Sequence, residues 1–313
     1  MARKIIIDTD PGQDDAVAIL LALASPAEIE VHSITVVAGN VPLAHTEVNA
    51  RKVCELAGRS DIPVYSGCVR PMVRPLVTAE HVHGDTGLNG PDLPAPKMLL
   101  QAKHAVDHLV DALRGAPTKT ITMCTLGPLT NLAMALVKAP DIAGRIEQIV
   151  MMGGGYFEGG NITPTAEFNI YVDPHAAEVV FCSGIPITVV PLDVTHRALS
   201  TRDRIERIRA IGNRCGRAVA EMLSFSERFD LQKYGSDGAP LHDPCVIAYL
   251  LQPELFQGRH INVEIETTSP LTLGMTVADW WRVTKRPANA TFMRDVDADG
   301  FYALLTERLA RLP

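Results

Sequence analysis

The sequence has little of what marks secreted, membrane-bound or nucleic-acid-binding proteins. Its 313 residues include six cysteines with no CxxC pair, and the net charge is -7. Only three apolar residues separate the basic pair Arg3-Lys4 from Asp8, too few for a signal-peptide core. No uninterrupted apolar stretch reaches transmembrane length. These features argue against a disulfide framework, a zinc site, a membrane partner and a nucleic-acid surface. They predict a cytoplasmic protein whose cysteines are buried.

What the chain does contain is ample material for a core, since 47% of its residues are hydrophobic and 21% are charged. Short β-branched runs alternate with helical patterns, beginning with a strand over 4–8 and a helix over 14–24. This alternation predicts an α/β fold with a mostly parallel, Rossmann-like doubly wound sheet flanked by helices. We expect one domain over residues 1–313, with the Pro/Gly-rich stretch 84–96 serving as an active-site loop.

The order of predicted elements loosens after position 200. Residues 201–234 form a charge-rich helical pattern, and 235–240 is typical of a flexible connector. A hairpin is expected over 263–277 and an edge strand over 288–294. The other expected strands are 30–37, 119–124, 148–152 and 186–192, and the other expected helices are 43–57, 102–113, 128–138, 174–182 and 298–312.

The segment DTDPGQDDA, residues 8–16, places four carboxylates between two apolar elements. Acidic residues are favoured at a helix start, which explains one of them as an ordinary cap. It does not explain four at one strand–helix junction, where their repulsion must be offset by a cation. Oxygen ligands without a nearby His or Cys favour Ca²⁺ or Mg²⁺.

Two further motifs carry polar side chains. In HDP, residues 242–244, Asp243 before a proline is an ordinary helix cap, but the adjacent His242 can change protonation near neutral pH. In EFN, residues 167–169, Glu167 and Asn169 project on one side of an expected extended segment. That pair suits a polyhydroxylated ligand, although the motif taken alone favours an ordinary surface strand.

Three other motifs are less specific when taken alone. VVAGN, residues 36–40, places an amide just past a buried strand, where Gly-Asn also favours a simple turn. TLGPLTNLA, residues 125–133, exposes backbone carbonyls at another strand–turn–helix junction. The glycines of 151–161 match neither common phosphate-binding pattern.

Together these motifs resemble the inosine–uridine-preferring nucleoside hydrolase family. The motifs that carry the resemblance are DTDPGxDDAxA at 8–18, VAGN at 37–40, LGPLTNLA at 126–133, the MGG…N…EFN…DP array at 152–174 and HDP at 242–244. The resemblance implies calcium-dependent hydrolysis of the N-glycosidic bond of ribonucleosides, giving ribose and free base. It also implies a homo-oligomer, either dimer or tetramer, that serves nucleoside salvage.

The resemblance also implies roles for individual residues. The calcium ligands would be the carboxylates of Asp10, Asp15 and Asp243 and the backbone carbonyl of Leu126. Asp10 would also act as the general base on a water, and His242 would protonate the departing base. The substrate contacts would be Asp14, Asn40, Met152, Asn161, Glu167, Phe168 and Asn169.

The base preference depends on two segments. Purine-specific relatives carry a Trp in the loop that corresponds to 78–84, and this loop has His81 and His83 instead. Tyr234 resembles the tyrosine that covers the base in pyrimidine-preferring members. We expect uridine and cytidine as substrates, with inosine accepted as well, and His83 as a base contact.

Two other functions are compatible with parts of the sequence. A haloacid-dehalogenase-type, Mg²⁺-dependent phosphatase also opens with DxD after a strand, although Pro11-Gly12 and the later motifs do not fit it. A non-catalytic nucleoside or ribose sensor would keep the calcium cage, although Asp10 and His242 would then have no catalytic task. Release of free base from a nucleoside separates both from a hydrolase.

Overall fold

The computed structural model describes residues 2–234 and 237–313, with side chains described throughout except over 227–234. The strands are β1 Arg3–Thr9, β2 Ile29–Val36, β3 Val64–Ser66, β4 Ile121–Thr125, β5 Ile146–Met152, β6 Ile187–Val190, β7 Leu199–Thr201, β8 Gly238–Pro240, β9 Phe256–Ile261, β10 Val263–Ile265, β11 Thr276–Ala278 and β12 Ala290–Val296. The helices are α1 Gln13–Leu23, α2 Leu43–Leu56, α3 Glu80–His83, α4 Ala105–Gly115, α5 Thr130–Lys138, α6 Phe168–Val172, α7 Pro174–Phe181, α8 Leu192–Thr195, α9 Arg202–Arg209, α10 Arg214–Tyr234, α11 Pro244–Leu251 and α12 Ala298–Leu309, with 3-10 turns at Pro140–Arg145 and Pro253–Leu255.

Eight strands form the central sheet, in the order β3-β2-β1-β4-β5-β6-β12-β9. All neighbouring pairs are parallel except β12 and β9. The predicted α/β fold with a mostly parallel sheet is therefore confirmed. The strand order reverses at β1, which pairs with β2 on one side and β4 on the other. In sheets of this kind the crevice at such a reversal, beyond the carboxyl ends of the strands, is where ligands bind.

The apolar run Ile5-Ile6-Ile7 explains why β1 lies in the middle of the sheet. All three side chains are fully buried, and they point alternately into two different cores. Ile5 and Ile7 join the core that contains α1 and α11, whereas Ile6 joins the core that contains α4 and α5. A strand covered by helices on both faces needs an unbroken apolar run in this way.

Two expectations about the second half of the sheet are wrong. The strand expected at an edge over 288–294 is β12, which lies between β6 and β9. The true edge is β9, which the sequence hides because residues 257–260 are polar or small and exposed. Residues 238–240 of the expected flexible connector form β8 instead, and β8 pairs with β7.

The helical pattern over 201–234 resolves into two helices, α9 and α10. The break falls at Gly212, whose φ of 79° lies in the left-handed region that favours glycine. The expected hairpin over 263–277 is present as β10 and β11, joined by a longer connection than its sequence indicated.

The cysteines are all free, and four of them are buried as expected: Cys54, Cys124, Cys215 and Cys245. Cys182 is exposed, which contradicts the expectation for that residue, because it follows the last turn of α7 at the surface. Within the described ranges, no helix has both the length and the apolar composition needed to cross a bilayer.

Asn131, in the first turn of α5, ties the strands around β1 together. Its amide nitrogen donates to the Asp8 carboxylate at 2.8 Å and to the carbonyl of Val36 at 3.1 Å. Its amide oxygen accepts the N–H of Cys68 at 2.8 Å. Asn131 is fully buried, so each of these groups would lose one hydrogen bond if the amide were removed, although the Asp8 carboxylate would keep the Thr35 hydroxyl at 2.5 Å.

We therefore expect Asn131→Ala to lower the free energy of unfolding by about 2–4 kcal/mol, because a buried carboxylate and two backbone groups lose partners. The measurement is a urea titration at neutral pH. Met134→Ala is the control on the same helix, since Met134 is 36% exposed. It should change stability by less than about 0.5 kcal/mol. Equal effects of the two substitutions would contradict a structural role for the Asn131 contacts.

Candidate active site

The segment that follows β1 turns sharply into α1. Pro11 cannot continue the strand ladder, and Gly12 adopts extended backbone at the N-cap position of α1. The Asp15 carboxylate accepts the N–H of Gly12 at 3.0 Å, which completes a capping interaction. It also accepts the Thr9 hydroxyl. The capping explanation is therefore correct for Asp15 and leaves the other carboxylates of the segment unexplained.

Asp243 enters the same place from the far end of the chain. It stands at the N-cap position of α11 with Pro244 behind it, but its side chain makes no capping hydrogen bond. Instead, Asp14, Asp15 and Asp243 each place a carboxylate oxygen within 4.8 Å of the others. We call these three residues and Asp10, whose charge acts on both Asp15 and Asp243, the acidic cluster.

Asp10 is enclosed by backbone on both sides. One of its oxygens accepts the N–H of Asn40 at 2.6 Å, and the other is buried without a partner in the described structure. Gly39, after β2, and Gly127, after β4, lie so close that a Cβ on either would overlap the Asp10 carboxylate. The two glycines are needed here because the turns at both neighbouring strand ends press against this side chain.

The acidic cluster is strained electrostatically. Burial, reinforced by the charge of Asp15, raises the pKa of Asp10 well above its usual range. Burial and the charges of Asp14, Asp15 and Asp10 do the same to the pKa of Asp243. Burial also raises the pKa of Asp14 to about 6. Burial is the largest cause of all three shifts, and the charges of neighbouring carboxylates add to it for Asp10 and Asp243.

The cluster fits a hard divalent cation. Its donors are carboxylate oxygens, and one of them, on Asp10, is buried with no hydrogen-bond partner. Of the predicted ligands, Asp15 and Asp243 belong to the three closely grouped carboxylates, and Asp10 lies beside them. The third member of the group is Asp14, which was expected to contact ribose. The division of roles between Asp10 and Asp14 stays a prediction.

The predicted ribose contacts line one pocket. Its lining includes Asp14 and Asp243 of the acidic cluster but not the fully buried Asp10 and Asp15. The pocket wall includes Asp14, Asn40, Leu126, Met152, Asn161, Glu167, Phe168, Asn169 and Asp243. The expected extended EFN segment is wrong, because Phe168 begins α6. The Glu167 carboxylate accepts the N–H groups of Asn169 at 2.9 Å and Ile170 at 3.2 Å, which starts the helix. Glu167 and Asn169 still face the pocket together.

Glu167 is a buried carboxylate with three backbone donors. Besides the two helix N–H groups it accepts the N–H of Gly154 at 2.9 Å. Burial nevertheless raises its pKa to about 7, since desolvation outweighs these hydrogen bonds. The Asn169 amide donates to the carbonyl of Leu126 at 2.6 Å, so the predicted calcium ligand and a predicted ribose contact touch each other. The ligand role of Leu126 stays a prediction.

The imidazoles of His81, His83 and His242 line the same pocket. The Nδ1 atom of His242 lies 2.8 Å from the hydroxyl of Thr195, at the end of α8. The Nδ1 atom of His83 lies 2.7 Å from the amide oxygen of Gln13. Burial lowers the pKa of His83 to about 4, so this ring is neutral at physiological pH.

The sequence interpretation missed the residues that hold these rings. Thr195 comes soon after β6, and Gln13 is a position of DTDPGQDDA that was given no role. It also missed the apolar wall of the pocket, formed by Ala79, Val82, Ile162, Leu223 and Leu241. The first two could have been found by asking which polar residues next to a motif must be buried. Apolar wall residues carry no such signal, because they resemble core. Tyr234 lies outside the residues whose side chains are described.

Comparisons with known proteins agree on one family. Residues 5–303 match the family model described as "Inosine-uridine preferring nucleoside hydrolase". The pyrimidine-specific ribonucleoside hydrolase RihA of Photobacterium profundum is 50% identical over 311 residues, which cover 99% of each chain. An uncharacterized protein of Schizosaccharomyces pombe is 56% identical over 310 residues, covering 99% of this chain and all of that one.

Solved structures give the same result. A plant nucleoside hydrolase superposes with a TM-score of 0.91 at 34% identity, over 99% of both chains. The purine-preferring ribonucleoside hydrolase from Gardnerella vaginalis superposes with a TM-score of 0.91 at 31% identity, over 98% of both.

The raised carboxylate pKa values predict how pH affects stability without metal. Asp8 and Asp14, with pKa raised to about 6, and Glu167, with pKa raised to about 7, bind protons more tightly folded than unfolded. Below about pH 4 both states are protonated, so the effect is absent there. As pH rises through about 5 to 7.5, the folded state pays the cost of ionising these groups, and stability falls.

The melting temperature of the chelated protein should therefore be lower at pH 7.5 than at pH 5. Ca²⁺ should raise it more at pH 7.5, where the carboxylates that bind it are ionised. Differential scanning fluorimetry with EDTA or Ca²⁺ measures both effects, and Asp14→Asn should flatten the metal-free profile. A metal-free protein that becomes more stable over this pH range would contradict the assignment.

Proposed function

The chain belongs to the inosine-uridine preferring nucleoside hydrolase family and is an N-glycosyl hydrolase, and we propose that it cleaves pyrimidine ribonucleosides with Ca²⁺ held by its acidic cluster. Its activity is ribonucleoside hydrolysis, which yields ribose and a free base. We treat residues 1–313 as one nucleoside hydrolase domain.

The observation that carries the proposal is the meeting of two different chemistries in one pocket. The carboxylates of Asp14 and Asp243 and the imidazoles of His83 and His242 line the same pocket. Cleavage of a glycosidic bond leaves positive charge on the sugar and negative charge on the departing base. A pocket that holds both carboxylates and an imidazole able to donate a proton supplies a group for each of these charges.

Asp15, Asp243 and Asp10, with the carbonyl of Leu126, are the groups we propose to hold Ca²⁺. A bound Ca²⁺ supplies Lewis acidity at this wall of the pocket. Asp10 takes the proton of the attacking water, for which its unpaired buried oxygen is available. Its other oxygen is anchored by the Asn40 N–H at 2.6 Å, so the base is held in a fixed orientation.

The ribose is held by carboxylates, which only accept hydrogen bonds, and by amides, which can both donate and accept. Glu167 and Asp14 accept ribose hydroxyl protons, and Asn169, Asn161 and Asn40 complete the polar wall. Met152 and Phe168, both largely buried, exclude water from the sugar. The carboxylates and amide oxygens near C1′ favour a ribosyl cation over the neutral sugar, which is where rate enhancement arises.

His242 protonates the departing base. Its Nδ1 atom can accept the Thr195 hydroxyl, which leaves a proton on Nε2 for the leaving group. A pyrimidine anion is a poor leaving group, so proton donation at this step matters most for uridine and cytidine.

Two observations support the pyrimidine preference. RihA of Photobacterium profundum, 50% identical over essentially the whole chain, is described as pyrimidine-specific. The loop at 78–84 supplies His81, Val82 and His83 to the pocket and has no Trp to stack on a purine. We propose Tyr234 as a cover over the base and inosine as a secondary substrate.

The cellular setting follows from the surface and the thiols. The six unpaired cysteines support a reducing cytoplasm as the place of action. A homo-oligomer, dimer or tetramer, is supported by large apolar side chains at the surface, such as Trp281 at 68% and Val283 at 84% exposure.

A substrate panel tests this function directly. Purified protein should release free base from uridine and cytidine with kcat/KM at least about 10-fold above that for inosine and adenosine, a difference of about 1.4 kcal/mol. EDTA should abolish turnover, and Ca²⁺ should restore it. A sensor would bind ribose without turnover, and a phosphatase would release phosphate from a nucleotide. Equal rates on all four nucleosides would remove the base preference and leave the hydrolase standing.

Asp10→Asn should lower kcat by about 10²–10⁴, the range for a general acid–base group, while the fold is kept. The fold is kept because the amide oxygen can still accept the Asn40 N–H. Steady-state kinetics on uridine measure the loss, and circular dichroism checks the fold. Asp85→Asn removes the same charge from an exposed position in the loop near the pocket and should be neutral. Turnover of Asp10→Asn close to wild type would exclude Asp10 as the base.

A further inference from the structure

We infer that Gln13 is a positioning residue that holds His83 as the neutral imidazole protonated on Nδ1, so that Nε2 accepts a hydrogen bond from the bound nucleoside. The inference rests on the proposed function for the identity of the ligand. The tautomer itself follows from hydrogen bonds within the protein.

The orientation of the Gln13 amide is decided by its partners. Its nitrogen lies 2.9 Å from the carbonyl of His83 and 3.0 Å from the carbonyl of Asn89. Both partners can only accept, so the atom facing them must be the NH₂ group. The amide oxygen is then the atom that lies 2.7 Å from Nδ1 of His83.

That orientation decides where the imidazole carries its proton. An amide oxygen only accepts hydrogen bonds, so Nδ1 of His83 must be the donor. A neutral imidazole has one N–H and one lone pair, and the lone pair is therefore on Nε2. Because the ring lines the pocket, Nε2 is the ring atom available to a ligand, and it can only accept.

The position of the ring is constrained as firmly as its tautomer. Gln13 is 2% exposed, so its amide cannot exchange these partners for water. The ring packs over Gly12, where a Cβ would come within 2.6 Å of Nδ1. Gly12 and Gln13 of DTDPGQDDA together fix the position of the His83 ring, since Gly12 leaves room for it and Gln13 accepts its hydrogen bond.

A nucleoside offers a limited choice of donors for this acceptor. With the 2′ and 3′ hydroxyls directed to the acidic cluster, which contains the proposed ribose contact Asp14, the remaining donors are the 5′ hydroxyl and, in uridine, the N3–H of the base. Both present the same chemistry, a single donor to Nε2. His83 and His242 therefore differ in role. The Nδ1 atom of His242 faces the Thr195 hydroxyl, which can donate a hydrogen bond, so the proton of His242 can be on Nε2.

Asn49 also anchors the loop that carries His83. The Asn49 amide donates to the carbonyls of Pro11 at 2.9 Å and Thr86 at 2.8 Å, which ties the same loop to the same turn. Asn49 makes no hydrogen bond to His83 among the described contacts. Asn49→Ala is therefore a matched control that loosens the loop and leaves the Gln13–His83 pair in place.

The tautomer can be observed without any turnover. In protein labelled with ¹⁵N- and ¹³C-histidine at pH 8, NMR should show His83 with Nδ1 protonated, its signals assigned by their loss in His83→Asn. Gln13→Met, which keeps the side-chain length, should give Nε2–H or a mixture, and Asn49→Ala should keep Nδ1–H. Nε2–H in the wild-type protein would overturn the inference, and that measurement requires no variant of Gln13 to fold.

Kinetics then test the role of the acceptor. Gln13→Met should lower kcat/KM for uridine about 10-fold, the effect of losing one hydrogen bond to the ligand. The loss should disappear for the analogue that lacks the donor to Nε2, which is either 5′-deoxyuridine or N3-methyluridine. Asn49→Ala should change kcat/KM equally for uridine and for both analogues. Equal losses in Gln13→Met on all three would overturn the hydrogen-bond role. If the wild-type protein hydrolyses no nucleoside, the proposed function fails, and the NMR result still decides the tautomer.

Discussion

The active site depends on one electrostatic constraint, which is that several carboxylates are buried together. Burial and mutual repulsion raise the pKa values of Asp10 and Asp243, so the protein alone does not stabilise their charged forms. The backbone N–H groups of Gly12 and Asn40 stabilise part of the negative charge, because they donate hydrogen bonds to Asp15 and Asp10. The other Asp10 oxygen is buried without a hydrogen-bond partner in the described structure, so its negative charge is not stabilised in this way. A bound cation would offset the remaining repulsion, and carboxylate oxygens are the donors that a hard divalent cation prefers.

The fold supplies the geometry that this constraint requires. β1 ends at the reversal of strand order, so the turns after β2 and β4 close on Asp10 from both sides, and only glycine fits at positions 39 and 127. α11 packs against α1, which brings Asp243 to the carboxylates of the first turn of α1. The imidazoles of His83 and His242 arrive on segments without long secondary structure. Polar partners help to fix their rings, Gln13 for His83 and Thr195 for His242.

Sequence reasoning succeeded where a pattern has one physical cause. The unbroken run at 5–7 suits burial on both faces, and the strand predicted there over 4–8 is present in the mostly parallel sheet as β1. It failed where the cause is a distant partner. β9 is an exposed edge with polar residues at 257–260, and its pairing with β12 has no local signal. EFN resembled a strand because nothing in three residues shows that the Glu167 carboxylate will cap α6. β8 was hidden in a glycine-rich stretch for the same reason.

The sequence by itself determined the fold class, the family and the chemical types at the site, because the hydrophobic period and the ordered motifs are local properties of the chain. It also determined that an acidic segment must meet a counter-charge, since repulsion among four neighbouring aspartates does not depend on what surrounds them. Only the tertiary structure decided which carboxylates meet, because Asp243 joins Asp14 and Asp15 through the packing of α11 on α1. Only the tertiary structure gave a task to Gln13, since a hydrogen bond to a ring seventy positions away is a property of the folded chain.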